Sequence, residues 1–293
     1  KRKTKNATAA NNSEKTLKKA LKFHRNGNFS KAEKIYTKIL GSEPNNINAN
    51  YLLGMLQFKT GQMENAQKHL EKTIDIQPDF PAAHNTLGSL FNSLGKTESA
   101  VTCFKNAIEK DPKLAEAHYN LGNALNTLGN KDKAIISFKK AITLNPQFFQ
   151  AHNNLGLQLS EKGCDNEAID YYKKAIALQP DFVDAYINLG NALHRLDLTG
   201  QAIHIFEKAL ALDANRFDAL YNLGRILESD YRYDEAFDCY ERAVRIKPDF
   251  TVAIHSLGNL YQNRNQSELA IQCYRKTLHI DPGYAEIWRE LSR

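Results

Sequence analysis

AEAHYNLGNALNTLGNKDKAIISFKKAITLNPQF, residues 115–148, is the stretch whose reading decides the fold. Its apolar residues fall into two amphipathic segments separated near Gly129, and the second segment runs up to Pro146. That pattern predicts a pair of helices joined by a turn and stopped by proline. The stretch is not alone. Shifted by 34 residues, the chain aligns with itself without a gap, so that units begin at Ser13, Ile47, Pro81, Ala115, Phe149, Val183, Phe217 and Thr251, and a ninth opens at Ala285.

Each recurring position has a physical reason. Position 20 is alanine in all eight complete units, from Ala32 to Ala270. Position 7 is leucine and position 8 glycine in seven of them, Leu53 and Gly54 through Leu257 and Gly258. Glycine inside a helix costs roughly 1 kcal/mol against alanine, and close helix–helix approach recovers it. Small residues at positions 8 and 20 let the two helices touch, while Leu at 7 and the Tyr, Phe or Leu at position 24 fill the space beside them. Glycine at position 15 in the first five units relaxes the turn. Proline at position 32 in seven units, Ala214 being the exception, stops the second helix.

This register disposes of a tempting motif. HNTLGSLFNSLGKT, residues 84–97, ends like a phosphate-binding loop, but six residues separate Gly88 from Gly95 where that loop needs four. Gly88 is the packing glycine and Gly95 the turn. His84, His118 and His152, all at position 4, invite a metal assignment. Zinc requires ligands about 2 Å from one point, whereas neighbouring helices stand about 8–10 Å apart. The histidines read as helix-packing residues, and neither metal nor cofactor is expected.

Net charge is +6 over 293 residues, but residues 1–25 carry +8 and the remainder −2. A nucleic-acid binder would spread basic residues along its contact face, so no nucleic-acid partner is expected. Residues 1–12 read as a basic flexible tail. No apolar run approaches the roughly 18 residues of a membrane helix. The cytoplasm is the expected compartment, with the nucleus open through KRKTK at residues 1–5. Cys103, Cys164, Cys239 and Cys273 form neither a C-x-x-C pair nor a zinc spacing; they read as small, partly buried hydrophobes.

With these positions fixed, the pattern resembles the tetratricopeptide repeat, completely over residues 13–284 and in part over 285–293. AEAHYNLGNAL, residues 115–125, is similar to the subtype in the recognition arms of O-linked N-acetylglucosamine transferases and in many bacterial multi-repeat proteins. The resemblance implies an all-α, right-handed solenoid of antiparallel helix pairs. Residues 13–46 depart from the pattern, with Lys19 and Ala20 at positions 7 and 8, and read as an N-terminal cap. Residues 285–293, with Trp288 at position 4, read as the truncated start of a ninth repeat. Half a repeat cannot bury its apolar face, so the natural protein is expected to continue past Arg293.

In the family, first helices line the concave face. Position 6 then presents Asn120, Asn154, Asn188 and Asn222 to the groove, and position 9 adds Asn123, Asn191, Arg225 and Asn259. An asparagine amide offers one acceptor and two donor hydrogens, which matches a peptide group. In the transferases of the resemblance such a ladder holds the target's backbone. The other reading is that these asparagines satisfy groups on neighbouring helices; asparagine is a weak helix former, which favours ligand contact. Tyr119 and Tyr221 also face the groove, as anchors or as helix-pair lining. Position 5 reads Leu17, Tyr51, Asn85, Tyr119, Asn153, Ile187, Tyr221 and His255. It lacks the cation that repeats gripping chaperone C-terminal tails place there, so such tails are not expected partners.

Two functions follow. One is a non-catalytic scaffold that binds an extended protein segment in its groove. The other is the substrate-selecting arm of a larger enzyme, a glycosyltransferase or a sulfotransferase. A homodimer is compatible with either. No catalytic motif is present in this chain.

Overall fold

The computed structural model describes the backbone of residues 2–284 and the side chains of residues 14–284. The expected ninth-repeat start, with Trp288, lies outside the described residues. The chain divides into two compact units, Lys1–Pro146 and Gln147–Arg293. The first holds α1 (Arg2–Arg25), α2 (Phe29–Ser42), α3 (Ile47–Lys59), α4 (Met63–Ile76), α5 (Pro81–Ser93), α6 (Thr97–Lys110), α7 (Ala115–Thr127) and α8 (Lys131–Leu144). The second holds α9 (Phe149–Glu161), α10 (Asp165–Leu178), α11 (Val183–Arg195), α12 (Thr199–Leu212), α13 (Phe217–Ser229), α14 (Tyr233–Ile246), α15 (Thr251–Asn263) and α16 (Ser267–Ile280). Every described element is helical: the fold is an all-α solenoid.

From α3 onward, each first helix starts at repeat position 1 and each second helix ends at position 30. The termination at position 30 does not depend on proline. α12 ends at Leu212 although Ala214 stands where proline is usual. Asp213 supplies the alternative: its Oδ1 accepts the backbone N–H of Asn215 at 3.0 Å, and Asp111 and Asp281 do the same for Lys113 and Gly283. A short carboxylate competing for backbone N–H groups favours a turn over further helix. At the other end of the chain, α1 is helical from Arg2, where composition predicts a flexible tail. Its lysines and alanines are good helix formers, and the segment runs into the first repeat helix without a break.

The turn at position 15 is left-handed in every repeat. Gly27, Gly61, Gly95, Gly129 and Gly163 have φ of +72° to +80°, and Asp197, Tyr231 and Asn265 take φ of 57°, 62° and 59° at the same place. Inside the last six pairs, from Gly88 to Gly258, the glycine at position 8 faces the aromatic ring at position 24. A Cβ on Gly190 would lie 2.6 Å from Phe206, and one on Gly122 2.6 Å from Phe138. The aromatic thus occupies the volume the glycine leaves, which is a more specific reason for glycine than general closeness of the helices. Alanines at positions 3 and 20, such as Ala185 and Ala202, are fully buried and set the spacing between helices.

Within each unit the first helices of successive repeats also touch: α1 with α3, α3 with α5 and α5 with α7 in the first, α9 with α11 and α11 with α13 in the second. The side on which these first helices meet is the inner side of the stack, and position 6 residues lie on it, since Thr86, Asn120 and Asn188 each reach position 5 of the preceding first helix.

Candidate functional site

The position 6 asparagines are all half-buried, yet they do not share one environment. Asn120 donates an amide hydrogen to Oδ1 of Asn85 at 3.0 Å, and Asn188 donates to Oδ1 of Asn153 at 3.0 Å. In both pairs the acceptor sits at position 5 of the preceding first helix. Tyr51 and Thr86 meet through the same two positions at 3.5 Å. Asn153 continues the chain by donating to Oδ1 of Asn154 at 3.3 Å. Two of the four expected backbone clamps therefore commit one amide hydrogen to a neighbouring helix, as the structural alternative anticipates, and keep an oxygen and a second hydrogen.

Asn222 differs. The residue at position 5 of the preceding repeat is Ile187, which has no hydrogen-bonding group, and Asn222 makes no side-chain hydrogen bond to the described residues. Asn191, at position 9, is likewise half-buried and without one. Asn259 Oδ1 accepts the hydroxyl of Tyr274 at 2.8 Å, so it serves the core of its own repeat. Arg225 is exposed, and its guanidinium lies 6.0 Å from the centroid of Tyr221. Tyr221 in turn packs edge-on against Phe250 at 5.2 Å. Asn120 and Asn123 lie in the first unit; Asn154, Asn188, Asn191, Asn222, Arg225 and Asn259 lie in the second. The second unit thus contains the larger part of the candidate face.

His84 and His118, at position 4, have a structural partner. His84 Nε2 lies 2.9 Å from the carbonyl of Pro78 and His118 Nε2 3.1 Å from that of Pro112. Asn50 and Tyr186, at the same position, donate to the carbonyls of Pro44 and Pro180, each at 3.1 Å. A polar group at position 4 therefore ties α3, α5, α7 and α11 to the loops before them, while Leu220 and Ile254 hold that place in α13 and α15. Among the described residues no three His, Cys, Asp or Glu side chains gather as a metal site.

Matches to described families cover nearly the whole chain. Models of the tetratricopeptide repeat match residues 23–90, 115–148, 137–170, 181–249 and 253–285, and a TPR repeat model matches 88–129 and 158–197. The chain belongs to the tetratricopeptide repeat family. No curated protein matches it. Among solved structures it is similar to the Cut9–Hcn1 hetero-tetramer of the APC/C, with 21% identity and a TM-score of 0.68. That match covers 90% of this chain and 52% of the other, so the chain spans about half of that relative. It is also similar to MamA, with 31% identity, a TM-score of 0.51, and coverage of 57% of this chain and 97% of MamA. A third relative, YrrB, is described as a TPR protein with an unusual peptide-binding site. The match has 23% identity, a TM-score of 0.54, and coverage of 64% and 96%. A tetratricopeptide solenoid of this kind is a protein-interaction scaffold, and among its described residues no helix is long and apolar enough to cross a membrane.

Several features of this tetratricopeptide chain escape a reading of repeat positions alone. Arg195, Asp165 and Ser160 form one knot between adjacent repeats. Arg195 donates to Asp165 Oδ1 at 2.7 Å, and Ser160 donates to the same oxygen at 2.5 Å. The Arg195 guanidinium holds the buried Asp165 carboxyl below the usual carboxylate range. Two tyrosines at position 24 find acceptors at position 12: Tyr240 donates to Glu228, and the Tyr274 hydroxyl is shared between Gln262 and Asn259. Cys103 and Cys239 are buried, with thiols pushed up to about 11 by burial. Cys164 is exposed, because position 16 opens the second helix on the outer edge of the turn. The position 5 acceptors were legible in principle, since Asn85 precedes Asn120, and Asn153 precedes Asn188, by the same 35 residues.

Proposed function

We propose that this chain is a non-catalytic scaffold that binds an extended protein segment along the inner, first-helix face of its second unit, with Asn154, Asn188, Asn191 and Asn222 meeting the segment's backbone. One observation carries the reading. Asn191 and Asn222 are half-buried on that face with no hydrogen bond to the described residues, although asparagine weakens the helices that hold them. Packing offers no reason for asparagine at these places, whereas a peptide group needs a donor and an acceptor together. An extended segment advances about 3.3 Å per residue and neighbouring helices stand about 8–10 Å apart, so one helix meets roughly every third residue. YrrB, whose description includes peptide binding, supports the general mode.

The test is a selection of random 16-residue peptides displayed on phage against the 293-residue chain, followed by affinity measurement. Asn191→Ala with Asn222→Ala is expected to weaken selected peptides about thirtyfold, at about 1 kcal/mol per lost hydrogen bond and one such bond at each residue, with unchanged helicity. Peptides that bind equally well to the double variant would place recognition elsewhere. In the alternative reading the same face selects substrates for a glycosyltransferase or a sulfotransferase. Sugar transfer by purified residues 1–293 would show that the chain itself is catalytic.

A further inference from the structure

We infer that the turn between α13 and α14, at Asp230, Tyr231 and Tyr233, docks an arginine of a partner protein's extended segment, on a surface at the helix ends and separate from the inner face proposed above.

Tyr231 has no structural reason to be where it is. The left-handed turn position is glycine in five repeats and aspartate or asparagine in two others, Asp197 and Asn265. Those residues tolerate positive φ, whereas a tyrosine there is strained. Tyr231 is 79% exposed, and its ring meets Tyr233 edge-on at 6.2 Å. Strain that neither packing nor backbone geometry requires points to a use outside the fold. Beside the pair lies an open cleft of about 410 Å³, lined by Tyr233, Leu260, Asn263 and Arg264.

The neighbouring contact shows what such a ring and acid hold. Arg264 lies 4.3 Å from the centroid of Phe237 and donates to Asp234 at 2.5 Å, so ring, carboxylate and guanidinium assemble between the seventh and eighth repeats. Tyr231 with Asp230 repeats the ring and the acid but not the arginine. Arg232, which stands between the two tyrosines, is committed through two nitrogens to Glu235, each at 2.7 Å. Asp230 is exposed and makes no ion pair among the described residues.

Charge selects the same partner. Glu228, Asp230, Asp234 and Glu235 set four acids against Arg232 and Arg264, and Glu268 on the next turn adds another. A cationic segment is drawn to this edge and an anionic one repelled. Arginine fits better than lysine, since its planar guanidinium stacks on a ring and meets a carboxylate with paired N–H groups. An apolar neighbour of that arginine enters the cleft beside Tyr233 and Leu260.

The experiment selects random dodecapeptides displayed on phage on the 293-residue chain and depletes them on Tyr231→Gly, a variant that relieves the strain and keeps the turn. Surviving peptides are expected to be enriched in arginine. Replacing that arginine by citrulline, of the same shape and neutral, should weaken them about tenfold, and Asp230→Asn should do the same. Tyr231→Phe, which keeps the ring, should retain binding. Asn191→Ala with Asn222→Ala should leave these peptides unaffected, so failure here and failure of the inner face are read separately. Thermal unfolding checks that each variant is folded. Depletion that leaves no peptide, survivors without arginine, or binding unchanged in Asp230→Asn would overturn the inference. Loss of binding in the double asparagine variant would move the peptides to the inner face and overturn it too. A wild-type dimer in sedimentation that Tyr231→Gly dissolves would give the surface to a second copy instead.

Discussion

The amide of Asn188 donates to Oδ1 of Asn153, 35 residues earlier and 3.0 Å away. The bond ties α11 to α9 across the inner face, so at least part of the asparagine row is structural. It also separates two kinds of asparagine that look alike in the repeat register.

That separation is measurable by urea unfolding. Asn188→Ala leaves the oxygen of Asn153, a residue only 5% exposed, without its donor, and the expected cost is about 1–2 kcal/mol. Asn222→Ala removes no hydrogen bond and gains helix propensity, so a change within about 0.5 kcal/mol is expected. A double-mutant cycle of Asn153 with Asn188 should give a coupling near 1 kcal/mol, and one of Ile187 with Asn222 none. Equal losses at Asn188 and Asn222 would remove the distinction.

Gly190 and Phe206 give a second contrast. A Cβ at Gly190 would come within 2.6 Å of the Phe206 ring, whereas one at Gly54 meets Leu70 Cγ at 3.0 Å. Alanine gains roughly 1 kcal/mol of helix propensity at either site. Overpacking against a rigid ring costs about 1–3 kcal/mol; a leucine rotates aside more cheaply. Gly190→Ala is expected to lower Tm and Gly54→Ala to leave it nearly unchanged. Gly190→Ala with Phe206→Leu should recover part of the loss.

The fold was legible because a solenoid writes the same constraint many times. Gly at position 8, Ala at 20 and Pro at 32 need no long-range information, since their partners lie within one repeat or its neighbour. The candidate site was legible only as a row. Whether Asn188 or Asn222 is free depends on whether the residue 35 positions earlier is Asn153 or Ile187, a pairing between helices that periodicity does not display. Arg195 and Asp165 were missed for a related reason: they pair across repeats at unlike positions, 13 and 17, and aspartate stands at position 17 in one repeat alone. Ala214 taught the opposite lesson, that an Asx turn at Asp213 ends α12 without proline.

Tyr231 adopts φ of 62° at a position where five repeats use glycine, and it is 79% exposed. A left-handed conformation costs an ordinary side chain about 1–2 kcal/mol. Exposed as it is, the ring recovers little through packing, although it meets Tyr233 edge-on at 6.2 Å. Tyr231→Gly is expected to raise stability by about 1 kcal/mol in urea unfolding. Asn265→Gly should gain less, because asparagine tolerates this region. A loss of stability in Tyr231→Gly would mean that the Tyr231–Tyr233 contact outweighs the strain.

Acid stability depends on the knot at Asp165. Arg195, hydrogen-bonded to the carboxylate and in ionic contact with it, lowers the Asp165 pKa, while in the unfolded chain an aspartate titrates near 3.9. Between those two values the unfolded state binds more protons, so stability falls as pH falls. The contribution is fully present above the unfolded pKa and is lost as pH drops through the folded one, in the window below about pH 4. Neutral Asp165→Asn cannot titrate, so its Tm should decline less steeply from pH 5 to pH 2 than that of the wild type. At pH 7 the same variant should be the less stable of the two, since Arg195 then faces an amide in place of a carboxylate. Arg195→Gln should flatten the acid limb in the same sense by returning the Asp165 pKa toward its ordinary value. Parallel acid limbs in all three proteins would show that Asp165 contributes nothing to the pH dependence.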